Sequence, residues 1–131
     1  MKKVLLIFAA EDLQRIKKLL PLLADPEYEI DFYEGPIPLD FESDSAGQLK
    51  RQIGEKIVEA RVSACLISEE THKDVWVDCA LQKSRNKGNK IIAMALKGVE
   101  CVVLPAVIRE ENLTFYPWNP RRLAELITEK K

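Results

Sequence analysis

Three stretches of this chain, residues 4–10, Val62–Ile67 and residues 91–96, are apolar without alternation. A strand with one face in water alternates apolar and polar side chains, whereas a strand covered on both faces does not. The three runs therefore read as the centre of a parallel sheet with helices on both sides. Residues 28–33 behave differently. Tyr28, Ile30 and Phe32 fall on one side and Glu29, Asp31 and Tyr33 on the other, the pattern of an edge strand.

Helical spacing fills the intervals. Leu13, Ile16, Leu20 and Leu23 form one stripe, with Asp12 as a start signal and Asp25-Pro26 as a stop; Leu49, Ile53 and Ile57 form a second. After the third run, the Thr71 hydroxyl is expected to cap a helix, with Asp74 in capping-box position and an end near Gly88. Cys101-Val102-Val103-Leu104 is the candidate fifth strand, and Phe115-Tyr116-Pro117-Trp118 leads through Asn119-Pro120 into a last helix carrying Leu123, Leu126 and Ile127. The long turn-rich segment 35–45 exceeds a minimal connection, as functional loops often do.

Alternating strands and helices with right-handed crossovers predict a three-layer α/β sandwich, one domain over residues 1–131, with a five-stranded parallel sheet in the order 2-1-3-4-5. Ligands in such sheets sit outside the carboxyl ends of the strands, where the strand order reverses. That places residues 10–12, 33–45 and 68–74 at a crevice.

A chain of 131 residues is long enough to bury roughly two thirds of its unfolded surface without disulfide or metal. Lys and Arg number 20 against 21 Asp and Glu, a net charge of -1 with no long block of either sign, which argues against nucleic acid or a membrane as partner. Cys65, Cys79 and Cys101 form no CxxC pair, so reduced thiols in the cytoplasm are expected, with neither a zinc site nor a disulfide framework. Met1-Lys2-Lys3 before an apolar run has the outline of a signal peptide, but that run is of minimum length and leads straight into Glu11-Asp12. A buried first strand accounts for it. No stretch approaches the roughly 20 apolar residues of a membrane span.

The five glycines form neither GxGxxG nor a P-loop. Glu11 and Asp12 after the first strand would repel a flavin phosphate. They match the magnesium-binding half of a response-regulator receiver, or else simply favour the positive end of the first helix. A receiver also needs a phosphorylatable aspartate at the end of strand three, where this chain has Ser68-Glu69-Glu70.

Three stretches carry a resemblance: residues 68–80 from Ser68-Glu69-Glu70-Thr71-His72 to Trp76-Val77-Asp78-Cys79-Ala80, Phe8-Ala9-Ala10-Glu11-Asp12, and Tyr28-Glu29-Ile30-Asp31-Phe32-Tyr33. In order and spacing they resemble TIR-like domains of the Thoeris ThsB type, as does the Phe115-Tyr116-Pro117-Trp118-Asn119-Pro120 entry to the last helix. The resemblance implies a flavodoxin-like fold, a role in signalling or antiphage defence, self-association or a protein partner, and NAD or a related nucleotide as ligand, with no cofactor required. It assigns ligand contact to Phe8, Ala10, Asp12, Tyr33, Ser68, Thr71 and Trp76.

Active members of such families break the bond between nicotinamide and ribose, and a carboxylate stabilises the positive charge that develops on the sugar. The resemblance puts that carboxylate four residues after Trp76, on the same helix face, where this chain has Ala80. Losing such a group commonly costs on the order of a hundredfold to ten-thousandfold in rate. Asp78 lies about 200° around the helix from Trp76, so Glu70 and Glu69 at the strand end are the better substitutes. Cys79 and Gln82-Lys83-Ser84 depart from the family pattern on the same helix. The expectation is a TIR-like module that binds a nucleotide or protein without cleaving it. The alternatives are NAD cleavage through Glu70 or Glu69, with a cyclic ADP-ribose-type signal as its product, and a receiver-like domain. Trp76 reads either as a purine-stacking residue or as a closure of the core edge, and His72, lacking a second ligand or nucleophile nearby, as a solvated helix-start residue.

Overall fold

A computed structural model describes residues 2–23, 30–33, 46–99 and 102–129. In chain order the elements are β1 (Lys2–Ile7), a 3-10 turn (Ala10–Asp12), α1 (Leu13–Leu23), β2 (Ile30–Tyr33), α2 (Ala46–Ala60) and β3 (Val62–Ile67). A second 3-10 turn (Thr71–Lys73), α3 (Val75–Asn86), β4 (Lys90–Ala95), α4 (Ala106–Glu110), β5 (Phe115–Tyr116) and α5 (Pro120–Thr128) follow. The expected helix stop at Asp25-Pro26, the start of the edge strand at Tyr28-Glu29, the loop 35–45 and Cys101 lie outside the described residues.

The result is an α/β fold on a parallel sheet. β1 pairs with β2 on one side and β3 on the other, with Leu5 opposite both Tyr33 and Ser63; β3 pairs with β4, and β4 with β5. Successive side chains of a strand point to opposite faces, and the central strands supply two separate cores in this way. Leu5, Ile7, Cys65, Ile67 and Ala93 pack with Ile53 and Ile57 of α2, Trp76, Val77, Ala80 and Leu81 of α3, and Val107 and Ile108 of α4. Val4, Leu6, Phe8, Ala64, Leu66, Ile92, Met94 and Leu96 pack on the other face with Ile16 and Leu23 of α1 and Leu123, Leu126 and Ile127 of α5. Every residue of β3 is buried, the two-sided burial that its non-alternating, mostly apolar run requires. No helix among the described residues is long and apolar enough to cross a membrane.

One strand lies elsewhere than expected. Residues 102–104 form no strand, and the strand that pairs with β4 is Phe115–Tyr116. A parallel neighbour needs a crossover of about a dozen residues or more. The interval between the end of β4 and residue 101 is too short for that, whereas the path to Phe115 has room for α4. Val102 and Leu104 instead pack, partly buried, against the α2–α3 side of the core.

Two helix ends feed β3 and β4 through left-handed residues, Arg61 at φ 64° after α2 and Gly88 at φ 74° after α3. The Lys90 N–H donates to the Arg61 carbonyl at 3.1 Å, tying the two turns together. Inside the α2–α3 layer, the hydroxyls of Ser63 on β3 and Ser84 on α3 form a fully buried hydrogen bond of 2.7 Å.

Because a side chain at positive φ costs about 1–2 kcal/mol, Arg61→Gly is expected to raise stability by about 0.5–1 kcal/mol after the extra flexibility of the unfolded chain is counted. Gly88→Ala is expected to lower it by about 1 kcal/mol. No atom lies within 4 Å of an added Cβ at Gly88, so that cost comes from the backbone alone. Urea denaturation of both variants checks the opposite signs. Ser84→Ala strands the Ser63 hydroxyl and should cost about 1–3 kcal/mol, while Ser63→Ala with Ser84→Ala recovers most of it; a double-mutant cycle reads the difference.

Candidate functional site

The carboxyl ends of β1 and β3 open into the connections that lead to α1 and α3, and four polar side chains meet there. Asp12, only 3% exposed, ends the first 3-10 turn. Its Oδ2 accepts the Ser68 hydroxyl proton, and its Oδ1 accepts from Arg15 Nη1 at 3.2 Å. The same Arg15 nitrogen lies 4.0 Å from Glu69 Oε1. Ser68 follows β3 directly and is fully buried; its N–H donates to Thr71 Oγ1 at 2.8 Å, while its Oγ accepts the Glu70 N–H at 3.2 Å.

Asp74 completes the group. Its Oδ1 accepts the N–H of Trp76 at 2.8 Å and of Val77 at 3.2 Å, capping α3, and its Oδ2 accepts the Ala10 N–H from the first connection at 2.9 Å. Three backbone donors on one carboxylate satisfy two orphan amides of the helix start and one of the β1–α1 turn. Thr71 is thus not the cap it was expected to be. The 3-10 turn Thr71–Lys73 intervenes, so α3 starts three residues later and the capping position falls to Asp74. The sequence signal for this was an aspartate directly before the apolar Val75-Trp76-Val77; Arg15 gave no comparable signal.

The residues assigned to ligand contact divide by environment. Ala10, Asp12, Ser68 and Thr71 come together at the carboxyl ends of β1 and β3, with the Ala10 N–H, the Asp12 carboxylate and both hydroxyls engaged in the bonds just described. Among the described residues no buried side-chain nitrogen or oxygen lacks a partner. Phe8 is buried in the α1–α5 core, and Trp76 is 4% exposed in the α2–α3 core, as its core-closing reading has it. Tyr33 ends β2, opposite Leu5; its side chain lies outside the described residues. Of the two candidate catalytic carboxylates, Glu69 has a side chain 63% exposed beside Arg15, and Glu70 one 40% exposed, 3.8 Å from Lys73 Nζ. His72 is exposed on the second 3-10 turn.

Ala80 is 1% exposed and sits in the same apolar cluster as Trp76, Val77 and Leu81. The helix turn that carries Trp76 into the core carries position 80 with it. Asp78 is half-buried on another side of α3, where it accepts from Gln82 Nε2 at 2.7 Å.

The two described thiols, Cys65 and Cys79, offer no alternative nucleophile. Burial pushes the Cys65 thiol far up from its ordinary value. Desolvation also raises Cys79, against the lowering influence of Lys83 and Lys50. Both stay protonated near neutral pH, and a thiol reacts as its thiolate. Among the described residues, no group of three or more His, Cys, Asp or Glu is placed to hold a metal ion.

A carboxylate at position 80 would enter a buried apolar cluster, so Ala80→Glu is expected to destabilise the protein by about 3 kcal/mol or more. Thermal unfolding reads this directly; unchanged stability would mean that position 80 reaches water or a cation. In comparison with known proteins, the family model described as Thoeris protein ThsB, TIR-like domain, matches residues 6–100, a span that runs from the end of β1 past β4 and holds the whole of this polar group. No curated protein matches the chain.

Proposed function

The chain belongs to the Thoeris ThsB TIR-like domain family, and from that membership we propose that it is a defence or signalling module that binds a nucleotide or a protein partner without catalysis. The observation that carries this reading is Ala80. The position that the resemblance assigns to the sugar-stabilising carboxylate holds a methyl group, 1% exposed and packed among apolar side chains. Support also comes from the crevice floor, whose hydroxyls and Asp12 carboxylate already have partners within the protein. What is left for recognition on the β3–α3 connection is its exposed rim of Glu69, His72 and Lys73, with the half-buried Glu70. We read residues 1–131 as one domain with the flavodoxin-like strand order 2-1-3-4-5, a reading supported by the strand pairings.

A second reading keeps NAD cleavage and gives the carboxylate role to Glu70 or Glu69. It is favoured by their place just beyond β3, after Ser68, and by the partial exposure of their side chains, whose ion pairs to Arg15 and Lys73 are solvent-exposed. A receiver-like reading is weaker, because Asp12 is occupied by Ser68 and Arg15 and the end of β3 offers no aspartate.

Nicotinamide release from NAD by the purified protein at high concentration is expected to stay at the buffer background. Release that disappears in Glu70→Gln or Glu69→Gln would replace the proposal with the enzymatic reading and name its carboxylate. With release absent, a rise in melting temperature on adding NAD or ADP-ribose would identify a nucleotide as the ligand; no rise would leave the protein-partner branch.

A further inference from the structure

The two connections that frame the crevice hold each other reciprocally. The β1–α1 connection sends the Asp12 carboxylate to the Ser68 hydroxyl, across 56 positions of sequence, and the β3–α3 connection sends the Asp74 carboxylate to the Ala10 N–H at 2.9 Å, across 64. Each side gives one carboxylate and receives the other's. Bonds to an ionised acceptor are stronger than neutral ones, and both of these are withdrawn from water: Asp12 and Ser68 are buried and Asp74 is half-buried.

The same atoms also set the local turn on their own side. Ser68 Oγ accepts the Glu70 N–H at 3.2 Å, and Asp74 Oδ1 holds the first amides of α3. Moving either cross-link therefore disturbs the turn that carries it. A weaker outer strap follows the same path, since Arg15 Nη1 reaches both Asp12 at 3.2 Å and Glu69 at 4.0 Å. Groups that share partners in one network are coupled, and the effects of their removal do not add.

We propose that residues 8–12 and 68–74 form one mechanical unit, a double carboxylate clasp, that opens and closes as a whole. A molecule that docks on the outer rim at Glu69, His72 or Lys73 then resets the backbone at the end of β1 as well, although it touches only one connection. The inference rests on geometry and is independent of what the crevice binds.

The test is amide hydrogen exchange on the full chain, followed by NMR, for Ser68→Ala and Asp74→Asn. Asparagine keeps an oxygen for the α3 cap but loses the second acceptor used by Ala10. The criterion is acceleration beyond that of the sheet amides of Leu6 and Leu66. In Ser68→Ala the Ala10 amide, whose own acceptor is intact, should exchange on the order of tenfold faster than in the parent, and in Asp74→Asn the Glu70 amide should do the same. Acceleration confined to the amide whose partner was removed would overturn the proposal. So would uniform acceleration of the whole sheet with no excess at the clasp. If Ser68→Ala fails to fold, Thr71→Val, which removes only the acceptor of the Ser68 N–H, is judged at Ala10 by the same criterion.

Discussion

Burial of the sheet on both faces is the constraint from which the rest of the molecule follows. β1, β3 and β4 lie between α1 and α5 on one side and α2, α3 and α4 on the other, so almost every side chain they carry is spent on packing. Even Ser63, near the start of β3, is accommodated because Ser84 meets its hydroxyl. A strand covered in this way offers no face to a ligand. Polar chemistry is pushed to the strand ends, where the chain leaves the sheet and the backbone amides of the next helix need partners.

At the carboxyl ends of β1 and β3 those needs are met mutually. The first connection is short of an acceptor for the Ala10 N–H, the second is short of a partner for the Ser68 hydroxyl, and Asp74 and Asp12 answer them crosswise. The acidic character of the crevice is thus in part structural. Asp12 and Asp74 serve internal donors, whereas Glu69 stands exposed and Glu70 half-buried at the rim. A count of carboxylates near a switch point would have ranked all four alike; burial and partners separate them.

The fate of helix α3 is governed by the same packing. Trp76 and Ala80, one turn apart, enter the same cluster as Ile53 and Ile57 of α2. With a methyl group at position 80, this face of α3 seals against α2 and the sheet, and its Ser84 hydroxyl is satisfied by Ser63. In this member of the Thoeris ThsB TIR-like family, the α3 face that carries Trp76 and Ala80 packs into the core.

The sequence by itself determined the class of fold: unbroken apolar runs at residues 4–10, Val62–Ile67 and 91–96 demand a parallel sheet between two helical layers, since only that arrangement covers both faces of each strand. It also determined the last helix, whose Asn119 caps the Arg122 N–H at 3.1 Å ahead of Pro120, and the residues that gather at the crevice, because strand ends are fixed once the strands are. What only the tertiary structure decided were matters of distance between parts far apart in the chain. The strand beside β4 moved from Cys101-Val102-Val103-Leu104 to Phe115–Tyr116 because a parallel crossover has a minimum length. The α3 cap moved from Thr71 to Asp74 because an extra 3-10 turn intervenes. Trp76 and Ala80 were drawn inward by α2, and Asp12 and Asp74 became a clasp because the sheet sets β1 beside β3. Local pattern encodes which face of an element is apolar; which partner a polar group finds depends on contacts across some sixty residues, and no local pattern carries those.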